Sequence, residues 1–306
     1  YELPGSRSLI TKTARRARRI KDPPSYREAL TQIDKRWGKP DVWVVLQRAT
    51  QDTTLSFYLA ALDRRYNVKN EIVMADELYQ IYVPILIKTL WLSALITILC
   101  FLLAYPVAYL LSTLPLRSSN LLMILVLLPF WTSLLVRTTA WIAMLQTQGI
   151  LNNLFVSLGF ISDDGRIQMI YNQTGTIIAM VHILLPFMIL PLYSVMKTIP
   201  PSYMRAARSM GASFPYAFAR VYFPQTLPGI AAGTLLVFIL AIGYYITPAL
   251  VGGNDGLLIS NLIADHIKST LNWSLGAALG AILLVIVLIL YWIYNRLVGI
   301  DKLKFG

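Results

Sequence analysis

The chain has 306 residues, of which 56% are hydrophobic and 14% charged, and its net charge is +12. Soluble domains carry about 25% charged residues, whereas the apolar residues here gather in long blocks and the mean hydropathy is +0.59. This excludes an ordinary soluble enzyme and a disordered chain, since either would need more charge or less apolar mass.

The N-terminal 83 residues come first. They hold 15 of the 27 basic and 10 of the 15 acidic residues, so residues 1–83 read as a polar segment and residues 84–306 as a membrane domain. The run TKTARRARRIK, Thr11–Lys21, reads as a solvated helix face rather than a nucleic-acid or anionic-lipid arm, because no aromatic residues interleave it for base stacking. No nucleic-acid partner is expected. No secretory signal is visible. The single cysteine, Cys100, forms no intrachain disulfide and no cysteine metal cluster.

Five apolar stretches, roughly 84–112, 121–146, 175–196, 225–249 and 275–295, are long enough to cross a bilayer. All are predicted to be helices, because a span must satisfy its own backbone hydrogen bonds. Pro106, Pro129, Pro186 and Pro191 fall inside these runs and predict kinks. Loop 197–224 carries Lys197, Arg205, Arg208 and Arg220 and no acid. The tail carries Arg296, Lys302 and Lys304 against Asp301, while loops 147–174 and 250–274 are slightly acidic. The positive-inside rule puts loop 197–224, the link around Arg117 and the C-terminus in the cytoplasm. Counting back, residues 1–83 lie outside. Exporting so basic a head predicts a sixth span upstream of Tyr1.

Loop 197–224 is the informative part. Pro200 and Pro201 end the third span, and Ser202 is expected to cap a short helix through Met210. Gly211 supplies a turn. Ser213 is expected to cap a second short helix, and Pro224 to precede the fourth span. The expected result is a helix–turn–helix on the cytoplasmic face, with Ala206 and Ala207 admitting another backbone and three arginines offering charge.

Ala206, Ala207, Gly211 and the pair Phe223-Pro224 resemble the coupling loop of binding-protein-dependent ABC importer permeases, in which Glu-Ala-Ala is followed by a glycine four residues on. The glutamate position is Arg205, a departure. YPVAYLLS (105–112), LLPFWTSLLVRTTAW (127–141), GILNNLF (149–155), ILLPFMILPLYS (183–194) and ALVGGNDGLLISNLI (249–263) extend the resemblance to spermidine/putrescine permeases, and within them to the first of the two paired subunits. The resemblance implies an all-α type I importer bundle in the bacterial inner membrane, with residues 1–83 as an enlarged first periplasmic loop. It implies a second permease subunit, two ATP-binding subunits and a periplasmic solute-binding protein as partners. It also implies that Arg205, Ala206, Ala207, Arg208, Gly211 and Pro224 face the ATPase. The runner-up cargo is an amino-acid-like or opine-like solute; a membrane receptor or scaffold is the alternative class.

The residues carry no catalytic constellation. GxxxxGK[ST] and GxSxG are absent, so ATP and its Mg are expected on partner subunits, with no cofactor in this chain. His182 and His266 have no ligand spacing, and no metal site is expected. Arg137 lies deep in the second stretch. It reads either as a path or gate residue or as a donor to carbonyls freed by the Pro129 kink. His182 allows the same two readings. Trp131, Trp141, Tyr244 and Tyr245 could line a cation path through ring contacts, or simply pack. Asp255, beside Gly252, Gly253 and Gly256 in a loop expected to be flexible, reads as an outer gate, a binding-protein contact or an ordinary turn.

Overall fold

A computed structural model describes residues 5–18, 25–49, 54–67 and 69–298. Arg19 and Lys21 of the basic run lie outside the described residues, as do Asp301, Lys302 and Lys304 of the tail. The fold divides into two compact units. One joins the chain through Pro84 to Leu271–Ile282; the other takes Ile85–Thr270 and the rest of the last helix.

The first unit is folded, which composition alone did not indicate. Helices α1 (Ser6–Ala17), α2 (Tyr26–Ile33), α3 (Pro40–Ala49) and α4 (Ser56–Ala61) precede a hairpin of β1 (Arg64–Tyr66) and β2 (Ile72–Met74). Leu9, Trp37 and Val42 form its small core, with Leu30 and Leu46 packed against them. The Trp37 indole N–H donates to Thr13 Oγ1 at 2.8 Å, so its one polar atom is satisfied on burial. Arg36 and Lys12 both pair with Asp34, at 3.0 and 2.9 Å. The Arg36 guanidinium, then Lys12, holds the Asp34 carboxyl well below the usual carboxylate range.

Asp63 lies between α4 and β1. It has φ +56° and is only 3% exposed. Its carboxylate accepts from the amides of Ile81, Tyr82 and Val83 at 3.1, 3.0 and 2.8 Å. Those amides start α5 (Tyr82–Thr113), the first long apolar helix. A helix start leaves its first amides without intrahelical partners, and a carboxylate there answers both the missing bonds and the positive end of the dipole.

The second unit is all helical. Among the described residues, four helices are long and apolar enough to cross a membrane: Tyr82–Thr113, Gln173–Thr198, Phe214–Gly243 and Trp273–Arg296. The other long apolar stretch is bent. Residues Leu116–Trp131 and Leu134–Ser157 meet at 96°, so the run 121–146, expected as one span kinked at Pro129, is broken into α6 (Leu116–Leu127), a 3-10 turn at Leu128–Trp131, α7 (Leu134–Leu145) and α8 (Ile150–Ser157). Pro129 sits in the turn, and Ser133 restarts the helix by accepting from the Val136 amide at 3.2 Å. Pro106, Pro186 and Pro191 lie inside helices that continue through them. The fourth stretch also differs. It begins at Phe214, stops at Gly243 rather than 249, and is followed by the separate helix α13 (Ile246–Val251) and then α14 (Ile259–Lys268) and α15 (Trp273–Val298).

The centre of this unit is the contact of α9 (Gln173–Thr198) with α12 (Phe223–Gly243). Gly229 and Gly233 form a GxxxG step. A Cβ on Gly229 would lie 3.1 Å from the Pro191 carbonyl, and one on Gly233 would lie 2.7 Å from Met188 Sδ. Small residues let helix backbones approach where no hydrophobic gradient drives association. On α5, Leu92, Ile96, Cys100, Ala104 and Ala108 recur every four residues and join this core. Gly252, Gly253 and Gly256, expected to make a flexible loop, are tightly packed: Cβ atoms there would lie 2.4 Å from Thr176 Oγ1, the Tyr171 carbonyl and Gly252 Cα, respectively.

Candidate coupling surface and translocation path

Loop 197–224 folds as two helical arms around a glycine turn. The first arm is α10 (Pro201–Ser209), whose N-cap is Pro200 with Pro201 in the first turn. Ser202 lies inside the helix and is not the cap that was expected; proline's fixed φ suits the first helical position. α10 closes with Gly211 at φ +90°. The Gly211 amide donates to the Arg208 carbonyl at 3.0 Å and the Ala212 amide to the Ala207 carbonyl at 3.1 Å, the paired bonds of a Schellman end. Nothing lies within 4 Å of a Cβ built at Gly211. The turn therefore needs glycine for its backbone angle and not for space.

The second arm does not stop. Ser213 is its N-cap by position, without a side-chain bond. The helix α11 (Phe214–Ala217) passes through a π turn, Phe218–Tyr222, directly into α12. Pro224 is thus inside a continuous helix instead of ahead of the span. The wider π register, in which the Phe223 amide reaches the Phe218 carbonyl, accommodates a residue that lacks an N–H and crowds the preceding turn.

Arg205, Ala206, Arg208 and Gly211 are exposed, while Ala207 is buried. Met210 is 83% exposed at the tip. A groove beside it is lined by Ala207, Met210, Gly211, Ala212, Ser213 and Tyr216. Beneath the loop lies an aromatic ladder that sequence reasoning missed. Tyr109 meets Phe218 and Tyr222 edge-on at 5.6 and 5.3 Å, and Tyr105 meets Phe218 at 6.3 Å. The Tyr105 hydroxyl is 3.2 Å from Thr226 Oγ1. The signal was available as two aromatic pairs at four-residue spacing, 105/109 and 218/222. The ladder fixes the second arm to α5, while Gly229 seats α12 on α9, so packing joins the loop to three long apolar helices.

Among the path candidates, Arg137 serves the helix break. Its guanidinium donates to the Pro129 carbonyl and to the Thr132 carbonyl, the latter at 3.2 Å, and sits 5.8 Å from the Phe130 ring centre. Phe130 in turn packs on Phe187 of α9 at 4.8 Å. Arg137 Nε is buried without a partner among the described residues. Trp141 donates to His182 Nδ1 at 3.1 Å, joining α7 to α9. That bond requires the ring proton of a neutral His182 to sit on Nε2.

The other candidates are dispersed. Trp131 is 81% exposed at the break. Tyr244 and Tyr245 occupy the gap between α12 and α13, where Ser260 donates to the Tyr244 carbonyl at 2.6 Å and Asn261 to the Tyr245 carbonyl at 2.7 Å. Lys268 donates to the Tyr245 hydroxyl at 3.1 Å. The Asp255 carbonyl accepts from Lys88 at 3.1 Å. Thr89 accepts from the Ile259 amide at 2.8 Å, which fastens this loop to α5.

Residues 72–299 match the binding-protein-dependent transport system inner membrane component family, and the chain belongs to it. The spermidine/putrescine transport system permease protein PotB of Haemophilus influenzae is 37% identical over 216 residues, covering 71% of this chain and 75% of that protein. PotB of Escherichia coli K12 is 37% identical over 221 residues, covering 71% and 80%. The fold is shared with a crystal structure of a bacterial ABC transporter involved in import of the acidic polysaccharide alginate, at TM-score 0.66 and 16% identity over 97% of this chain and 100% of that one. The chain is an inner-membrane transport component.

Proposed function

We propose that this chain is one permease subunit of an ATP-driven importer that moves a polyamine of the spermidine/putrescine type. The observation that carries the cargo reading is the 37% identity to PotB proteins across most of the membrane domain. A second permease chain completes the path, a periplasmic binding protein delivers the cargo, and two ATP-binding subunits supply the hydrolysis. Residues 1–83 form an external segment, and residues 84–306 the transport domain.

In this reading α10 and the glycine turn seat on an ATP-binding subunit through Arg205, Ala206, Ala207, Arg208 and Gly211, with Pro224 in the arm behind. Closure of the ATPase pair pushes the loop. The aromatic ladder and the α9–α12 contact carry the push into the spans, and access alternates. The broken helix at Pro129, the Trp141–His182 pair and Tyr244–Tyr245 flank the cargo route, with Asp255 at its outer end.

Proteoliposomes holding both permeases and the ATPase test this directly. With binding protein and ATP they should accumulate labelled spermidine or putrescine. Gly211→Val should abolish uptake while ATPase subunits stay bound, because a β-branched residue resists a positive φ. Accumulation of an opine or basic amino acid instead would replace the cargo; normal uptake by Gly211→Val would remove the coupling role.

A further inference from the structure

We infer that the coupling surface selects an ATP-binding subunit whose receiving groove is apolar at its centre and acidic at its rim, with Arg205 and Arg208 as the selecting residues. The inference rests on the coupling role proposed above and names the chemistry of the partner.

Two observations carry it. First, the charge is uncompensated. Arg205 and Arg208 are exposed, three residues apart on one face of α10, and Arg220 is exposed on the second arm. Among the described residues none of the three has a hydrogen bond or ion pair to a carboxylate. After Pro84 the described side-chain carboxylates are Asp163, Asp164, Asp255 and Asp265, all outside loop 197–224. Lys197 is occupied elsewhere, donating to the Ser112 carbonyl at 3.3 Å.

Second, the centre of the surface is apolar. Met210 at 83% and Tyr216 at 61% exposure are large side chains with no cover of their own, and both line the groove at the turn. An apolar anchor ringed by charge is the anatomy of a protein-binding surface, in which the centre holds and the rim steers.

The test titrates the purified ATP-binding subunit onto the permease pair in nanodiscs of zwitterionic lipid at low and high salt. Wild type should bind more weakly as salt rises. Arg205→Glu with Arg208→Glu should weaken binding by about tenfold at low salt and flatten the salt dependence, because rim charges act mainly through long-range attraction. Arg117→Glu, an exposed charge change outside the loop, should move affinity little. Equal or tighter binding by the double variant would overturn the inference, as would a loss seen only when anionic lipid is present, which would make lipid headgroups the arginines' partner. Absence of any binding by wild type would instead remove the coupling role on which the inference stands.

Discussion

The Asp63 carboxylate holds the Val83 amide at 2.8 Å, twenty residues along the chain, and in doing so closes the open end of the first long apolar helix. Ile81 and Tyr82 share the same carboxylate. The start of α5 is thus fixed by the residue that leads into β1. The left-handed backbone at Asp63, φ +56°, is one that Asp and Asn tolerate better than most residues.

Asp63→Ala should leave three amides short of their acceptor and destabilise the protein by about 2 kcal/mol. Asp63→Asn should lose less, since it keeps the backbone conformation and one oxygen. Thermal unfolding in detergent and the rate of proteolysis between residues 63 and 82 would show it. An unshifted midpoint for Asp63→Ala would mean that water or another group caps the helix.

Arg137 distinguishes a clamp from a charge. Arg137→Lys keeps the cation but loses the fork that reaches two carbonyls, whereas Arg137→Met loses both. If the clamp is the role, both variants should lower stability by about 1–2 kcal/mol, with the cargo concentration for half-maximal uptake little changed. If the charge governs the path, Arg137→Met alone should alter cargo dependence.

Asp34 sets a pH response for the first unit. Arg36 and Lys12 depress its carboxyl below the ordinary value of 3.8. The folded state therefore binds this proton less readily than the unfolded chain. Its contribution is complete above the ordinary value and is lost as pH falls below it. Asp34→Asn should make the loss of stability on acidification below about pH 4 shallower than in wild type, as read by pulse proteolysis of residues in the first unit. Identical acid profiles for the two proteins would contradict the pairing.

Much of this was legible because bilayer physics writes long, plain signals. Apolar runs of twenty residues give spans, and Gly211 between two short amphipathic stretches gives the turn. The break at Pro129–Ser133 was half legible. Proline marked a kink, but proline also lies in α5 and α9 without breaking them, and only the Ser133 cap and the Arg137 clamp distinguish the cases. The π turn at Phe218–Tyr222 has no residue of its own to announce it; Pro224 behind it is the indirect sign. Residues 5–83 hid their core because Leu9, Trp37 and Val42 are spread over short helices too brief to show a period. The role of Asp63 depends on a contact across twenty residues that no spacing rule anticipates.

The central claim is that this chain couples a binding protein's cargo to ATP hydrolysis on separate subunits. ATPase activity of the reconstituted complex with its binding protein, measured across putrescine, spermidine, basic amino acids and opines, tests it most directly. Polyamines should stimulate the ATPase, and the other solutes should do so little. ATPase unchanged by every solute, or a permease that carries no associated ATPase, would contradict it.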